Sequence, residues 1–295
     1  MLNPEAPIYL TMRTLLETQD EAIVLTPAYD ALLNLAEHVC RRVHRWTLAP
    51  TSSGWTFDLE VLEGMITPQT KLLVINFPHN PTGFLPSAEE FNQLLEIVRR
   101  HGLWLFCDEM YRGLELDIPA LASAADRYER SIVLSGLSKA YGLPGLRAGW
   151  LIVKDETMRD ALINWKHYTT ICPSAPSEFL SLAALQAGEK LIAKNKAIIR
   201  ENLALAGPFF HRWQALFDWR RPHAGSVALV GVHVPSATAY CHQLVRDTGV
   251  LLLPGTFMGT EDRYVRFGFG RKGFPAALRY YEAHLSQGSP TVRAP

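Results

Sequence analysis

The stretch Ser135-Gly-Leu-Ser-Lys-Ala-Tyr-Gly-Leu-Pro-Gly-Leu-Arg147 sets one lysine, Lys139, among small and hydroxyl residues just past an apolar run, Ser131-Ile-Val-Leu-Ser135. A lysine held this way is a candidate amine nucleophile, able to form a Schiff base with a carbonyl compound. Ser138 beside it and Arg147 eight positions on offer a hydroxyl and a guanidinium, donors that suit a bound phosphate. Aldehyde and phosphate in one small molecule describe pyridoxal phosphate (PLP). Taken alone, Lys139 would read as a surface lysine at a strand end. The flanking Ser138, Gly142, Gly145 and Arg147 turn the reading toward chemistry.

Two more segments carry reactive types: Asn76-Phe-Pro-His-Asn80-Pro81-Thr-Gly83, then Cys107-Asp108-Glu-Met-Tyr111. Asp108 ends the run Trp104-Leu-Phe-Cys, so its carboxylate is expected to be buried and to need a cationic partner. A helix N-cap, or a metal site shared with Glu109, would also use it. Neighbouring carboxylates on a strand point to opposite faces, however, and no metal-ligand cluster is visible. Asn80 precedes Pro81, which restricts it to extended backbone in a turn leaving a strand; by itself the motif reads as that turn. His79 reads as structural. Tyr29, in Thr26-Pro-Ala-Tyr29, would alone be a core tyrosine at a helix start, and Tyr111 an ordinary amphipathic one. Arg266 shares a strand face with Tyr264, while Val265 and Phe267 take the other; alone it would be a surface strand arginine. Gly268-Phe-Gly270-Arg-Lys-Gly273 fits G-x-G-x-x-G. A dinucleotide site also needs a second strand and an acidic residue about 20 positions on, and residues 283–295 hold no Asp or Glu, so these glycines read as a strand-to-helix turn.

In order and spacing the three segments resemble the class I/II aminotransferases, fold-type I PLP-dependent enzymes, from about Asn3 to about Leu285. The resemblance implies that Lys139 binds PLP as a Schiff base, is displaced by the substrate amine, and then moves the proton from the substrate Cα to the cofactor. It makes Asp108 the partner of the pyridinium nitrogen and Tyr29 the aromatic stacked on the ring. Asn80 and Tyr111 would contact the cofactor's O3′. Ser138, Arg147 and backbone amides of Asn3-Pro4-Glu5-Ala6 would hold the phosphate, with Glu5 among the donors because Pro4 has no N–H. Arg266, with Asn80, would grip the substrate carboxylate. The implied reaction moves an amino group between an amino acid and a 2-oxo acid, in a homodimer. The segment Lys166–Glu178 looks like one branch of this family, where it lies near the partner subunit's site; that branch also holds elimination and cyclisation enzymes. A non-catalytic PLP-binding fragment is a third reading. Relatives carry residues ahead of the phosphate loop that cover the substrate and reach the partner's phosphate. Met1 lies two residues before that loop, so weaker cofactor retention and poorer dimer closure than in a full-length relative are expected.

The elements that must position these residues alternate. Strand-length apolar runs (Ile23–Leu25, Val43–Leu48, Leu72–Phe77, Trp104–Cys107, Ser131–Leu134, Trp150–Val153) are separated by helix-period segments such as Tyr29–Cys40 and Ala88–His101. Such alternation predicts an α/β three-layer sandwich with a mostly parallel central sheet, the PLP-dependent transferase fold by resemblance, over residues 1–189. Ligands in such sheets bind beyond the carboxyl ends of the strands, where Asn80, Asp108 and Lys139 fall. A long helix, Lys190–Trp213, leads into a small α+β C-terminal domain over residues 190–286, with strands at Val227–Val232, Val250–Leu253 and Tyr264–Phe269. The tail 287–295 is rich in Gly, Ser and Pro and is expected to be disordered.

Composition narrows the classes. Of 295 residues, 29 are Lys or Arg and 29 Asp or Glu, so no basic field favours nucleic acid or an anionic membrane. No apolar run reaches the roughly 18 residues that span a bilayer, and no secretory signal is visible. Four cysteines lie far apart without a Cys-x-x-Cys pair, as expected of reduced thiols in a cytoplasmic protein.

Overall fold

A computed structural model describes residues 6–287; Asn3 to Glu5 and all of the expected tail beyond Gln287 lie outside the described residues. The chain runs α1 (Ala6–Leu15), β1 (Glu21–Thr26), α2 (Asp30–Val39), β2 (Arg42–Thr47), the hairpin β3 (Ala49–Pro50) and β4 (Trp55–Thr56), and α3 (Leu59–Gly64). It continues through β5 (Thr70–Asn76), α4 (Ala88–Arg100), β6 (Trp104–Asp108), α5 (Ala124–Arg127), β7 (Ser131–Gly136) and β8 (Gly149–Val153). Six of these strands form one sheet in the order β2-β1-β5-β6-β7-β8. It is parallel from β2 to β7, and β8 joins it antiparallel.

Residue parity along each strand decides which core it enters. Ala22, Val24, Leu72, Val74, Phe106, Ile132 and Leu134 face the layer that holds Ile8 of α1 and Leu32 of α2. Ile23, Leu25, Leu73, Ile75, Leu105, Cys107 and Val133 face Leu62 of α3 and Phe91, Leu94 and Val98 of α4. With helices over both faces, the central strands β1, β5, β6 and β7 are buried at nearly every position while the edge strands β2 and β8 are partly exposed, which is why the sequence shows continuous apolar runs at the centre rather than alternation. The helix starts are chemically marked. Ser87 accepts from the Glu90 N–H while the Glu90 carboxylate accepts from the Ser87 N–H, a reciprocal cap worth about 1 kcal/mol.

Three helices follow, α6 (Glu156–Thr169), α7 (Ala175–Gln186) and α8 (Gly188–Arg212). Beyond them β9 (Phe217–Asp218), β10 (Val227–Val232), α9 (Ala237–Thr248), β11 (Leu253–Pro254), β12 (Tyr264–Gly268) and α10 (Phe274–Ser286) build a second, antiparallel sheet in the order β11-β12-β10-β9. The buried residues of α8, among them Ile199, Asn202, Leu203, Ala206 and Phe210, recur at helical spacing. Asn202 donates to the carbonyls of Phe269 (2.7 Å) and Arg271 (2.8 Å), so the glycine run after β12 is a turn tied to α8. The strand expected at Val250–Leu253 shortens to Leu253–Pro254. Only those two residues pair with β12 at the sheet edge, and Leu251 is left 78% exposed.

The segment entering β10 is bonded to the first sheet's loops. Leu116 donates to the His223 carbonyl, His223 and Ala224 donate to the Gly83 carbonyl (each 3.0 Å), and Gly225 donates to Leu114 (2.9 Å). These bonds bring β12 over the carboxyl edge of the parallel strands. Among the described residues no helix is long and apolar enough to cross a membrane.

Candidate active site

Parallel strands end at a common edge, and the polar residues there converge. Tyr29 follows β1 and caps α2, Asn80 follows β5, Asp108 is the last residue of β6, and Lys139 lies three residues past β7. With Tyr111, Ser138 and Arg147 they line one cleft of about 540 Å³, part of it open to solvent. Ile8, Met110, Leu134 and Pro144 complete its walls. Thus seven residues singled out from the sequence share a site, and an eighth, Arg266, reaches it from β12. Glu5 lies outside the described residues.

Asp108 is 6% exposed. Burial lifts its carboxyl from the usual 3.8 to about 6, against the Met110 N–H and the Lys139 charge, which favour the anion. Its Oδ1 accepts that N–H at 2.9 Å. Glu109 points the other way. It accepts from the Ser123 hydroxyl (2.9 Å) and the Ala124 N–H (2.8 Å), and sits 3.6 Å from Arg112. The two carboxylates therefore do not share a ligand, and among the described residues no group of acids, histidines and cysteines could hold a metal.

Asn80 is buried and joined to Pro81 by a cis peptide bond. Its Oδ1 accepts from Arg266 Nη1 at 3.0 Å, across 186 positions of sequence. Beside it, burial pushes the Tyr111 hydroxyl up to about 12, only partly opposed by the Arg266 guanidinium. Tyr111 therefore stays a phenol, able to donate. The Lys139 ammonium lies 6.0 Å from the centroid of the Tyr111 ring. The loop that carries the lysine is braced by α8, where Asn195 donates to the Ala140 carbonyl at 2.9 Å. Gly142, at φ +70°, is required there, because a Cβ would fall 2.5 Å from the Asn195 amide nitrogen.

Two observations bear on whether a phosphorylated aldehyde fits. The Ser138 hydroxyl is buried in the cleft wall with no hydrogen-bond partner among the described residues, a state buried polar groups rarely keep. Arg147 takes a left-handed backbone (φ 50°) after the short turn Pro144–Leu146, an unusual conformation for a side chain of its kind and one that recurs at functional sites. An orphan donor and an arginine on one wall, and a desolvated carboxylate on another, match the phosphate and the ring nitrogen of PLP.

Sequence reasoning passed over three neighbours. Asn76 joins Asp108 to Asn80 through its side-chain amide. Ser226 eases the Tyr111 phenol by hydrogen bonding. Met110 supplies the N–H for Asp108. A polar residue closing an otherwise apolar strand was the available signal for Asn76. His79 is buried, its ring held near 3 by desolvation, with Nδ1 2.7 Å from the Thr82 hydroxyl.

Known proteins resemble this chain in sequence and in fold. The family profile "Aminotransferase class I and II" matches residues 5–277. Capreomycidine synthase of Streptomyces vinaceus is 32% identical over 268 residues, which cover 89% of this chain and 67% of the relative. A PLP-dependent aminotransferase from Streptococcus suis 89-1591 superposes with a TM-score of 0.89 at 29% identity, over 100% of this chain and 77% of that one. The PLP-dependent cyclase OrfR superposes at 0.87 and 28% identity, over 96% and 76%. The chain spans about two thirds of the length of these curated relatives.

Proposed function

The chain belongs to the class I and II aminotransferases, PLP-dependent enzymes acting on amino acids and 2-oxo acids, and from that we propose that Lys139 is its catalytic amine. When bound, PLP supplies an electron sink for the pair left at the substrate Cα. The residues divide the remaining work. Lys139 Nζ would hold the cofactor at its aldehyde carbon and, when free, would take the proton from the substrate Cα. The Asp108 carboxylate holds the proton on the ring nitrogen. Tyr29 would pack against the cofactor ring, and the Tyr111 hydroxyl and the Asn80 amide would hold its phenolic oxygen. Ser138 and Arg147 bind the phosphate, and the Arg266 guanidinium, seated by Asn80, binds the substrate carboxylate.

The observation that carries this reading is the convergence of Lys139, Asp108, Asn80 and Arg266 on one cleft from four separate elements. Its test is purified protein reconstituted with PLP and offered a panel of amino donors. Donor-dependent conversion to pyridoxamine phosphate with release of a 2-oxo acid is expected; retention of PLP with no conversion by any donor would overturn it. Arg266→Ala should raise KM for donor and acceptor by roughly 10- to 100-fold, with a smaller change in kcat, since it removes a charge-assisted contact made before chemistry. The likeness to capreomycidine synthase and to a PLP-dependent cyclase favours a second reading, in which the same amine and carboxylate serve cyclisation. A cyclic product, or ammonia without pyridoxamine phosphate, would select it.

A homodimer completes the proposal. Tyr168, Ile171, Phe179 and Leu182 on α6, α7 and their connection are 89%, 72%, 74% and 57% exposed, an apolar ridge of the kind an interface covers. Sedimentation equilibrium should return a dimer mass at micromolar concentration, and Phe179→Glu with Ile171→Glu should return a monomer. A monomer from the unaltered chain would sink this part alone. The free thiols Cys40, Cys107, Cys172 and Cys241 suit a reducing compartment, and the cytoplasm is the proposed location.

A further inference from the structure

Asn76 closes β5 directly opposite Asp108 in the β5–β6 ladder. There β5 stops and the chain swings out toward Asn80, so the loop leaves the backbone ladder that aligned the strands. A side chain continues the tie. Asn76 Nδ2 donates to the Asp108 carbonyl at 2.7 Å, and Asn76 Oδ1 accepts from the Asn80 N–H at 2.7 Å. The same Asp108 carbonyl takes the Phe77 N–H at 3.0 Å. The amide's orientation is unambiguous, because a carbonyl only accepts and an N–H only donates. Asn76 is 3% exposed, amid positions otherwise filled by Val74 and Ile75. A polar group there is tolerated because both of its ends are satisfied. From Asn80 the connection runs on to Arg266 at 3.0 Å. One buried amide therefore links the backbones of two residues that face the cleft, and through the second reaches the arginine of the other sheet.

We propose that Asn76 is a positioning residue for the reaction: it fixes Asp108 and Asn80 relative to each other, and so sets how the ring nitrogen, the phenolic edge and the substrate carboxylate are addressed together. The proposal rests on the function proposed above. Aspartate at this position would keep an acceptor for Asn80 but lose the donor to Asp108. Alanine would lose both and leave a buried N–H unpaired.

The test compares Asn76→Ala and Asn76→Asp with the unaltered holoenzyme by three measurements: the PLP dissociation constant, the pH midpoint of the bound cofactor's visible absorbance, and KM against kcat. Asn76→Ala should bind PLP roughly tenfold more weakly, raise KM by a similar factor and shift the absorbance midpoint. Asn76→Asp should disturb PLP affinity more than KM. A variant that folds with a lowered melting temperature but an unchanged dissociation constant, midpoint and KM would overturn the proposal. So would failure of both variants to fold, which would make Asn76 a requirement of the sheet alone. Failure of the unaltered chain to bind PLP would instead overturn the proposed function, and this assignment with it.

Discussion

Lys139→Ala should lower turnover by about 10⁴-fold or more, because it removes both the covalent anchor and the base at one stroke. The fold should survive. The side chain is exposed to the cleft, and its loop is held by contacts of other residues, the Asn195 amide to Ala140 and the Gly142 N–H to the Lys139 carbonyl. Borohydride reduction followed by denaturation gives a readout that does not depend on activity: the unaltered protein should retain cofactor mass on a Lys139 peptide, and the variant none. Lys139→Arg separates charge from nucleophilicity, since it keeps a cation beside Asp108 but presents no free amine at neutral pH. It should be as inactive as alanine. Turnover within tenfold of the unaltered enzyme in either variant would remove Lys139 from the mechanism.

Lys139 was legible in the sequence for a physical reason. A strand buried on both faces needs an unbroken apolar run, and a polar residue just past the run must sit at the strand's carboxyl edge, where parallel sheets expose their ends. Asp108 after Trp104–Cys107 and Asn80 after Leu72–Phe77 are readable on the same ground. Long-range pairing was not. Asn76 stands in plain view in its motif, yet its role depends on β5 lying beside β6 with Asn76 in register with Asp108. The order β2-β1-β5-β6-β7-β8 that produces this register leaves no mark on any local window. The Arg266–Asn80 bond is more distant still. Short elements also escaped, because β3 and β4 with two residues each, and α5 with four, hold too few positions to display a period. The antiparallel pairing of β8 is invisible for a related reason: both strand directions alternate side chains with a period of two.

Asp108→Asn should cost turnover about 10²- to 10³-fold, the usual effect of losing one electrostatic partner at the reacting system. It should also make the cofactor-free protein more stable at neutral pH, an opposite sign that identifies the role. In the folded chain the Asp108 carboxyl titrates near 6, above its ordinary 3.8. Between those values the folded state binds more protons than the unfolded one, so the contribution of this group to stability falls as pH rises through that window and is flat above it. The full cost at pH 7 is about 3 kcal/mol, from a shift of roughly two units. Asparagine does not ionise, and its amide oxygen can still accept the Met110 N–H. The melting temperature of the variant should therefore match that of the unaltered protein near pH 4 and exceed it progressively up to pH 7. His79 and Glu109 also titrate abnormally, but they are common to both proteins and cancel in the difference. Adding PLP should invert the order: a protonated ring nitrogen gives the aspartate a cation in direct contact, beyond the Lys139 charge nearby, and gives asparagine nothing comparable. A carboxylate that weakens the empty protein and strengthens the loaded one is placed for its ligand rather than for the fold. Equal melting curves for the two cofactor-free proteins from pH 4 to 7 would show that Asp108 is not desolvated as described, and would withdraw the electrostatic basis for its partnership with the ring.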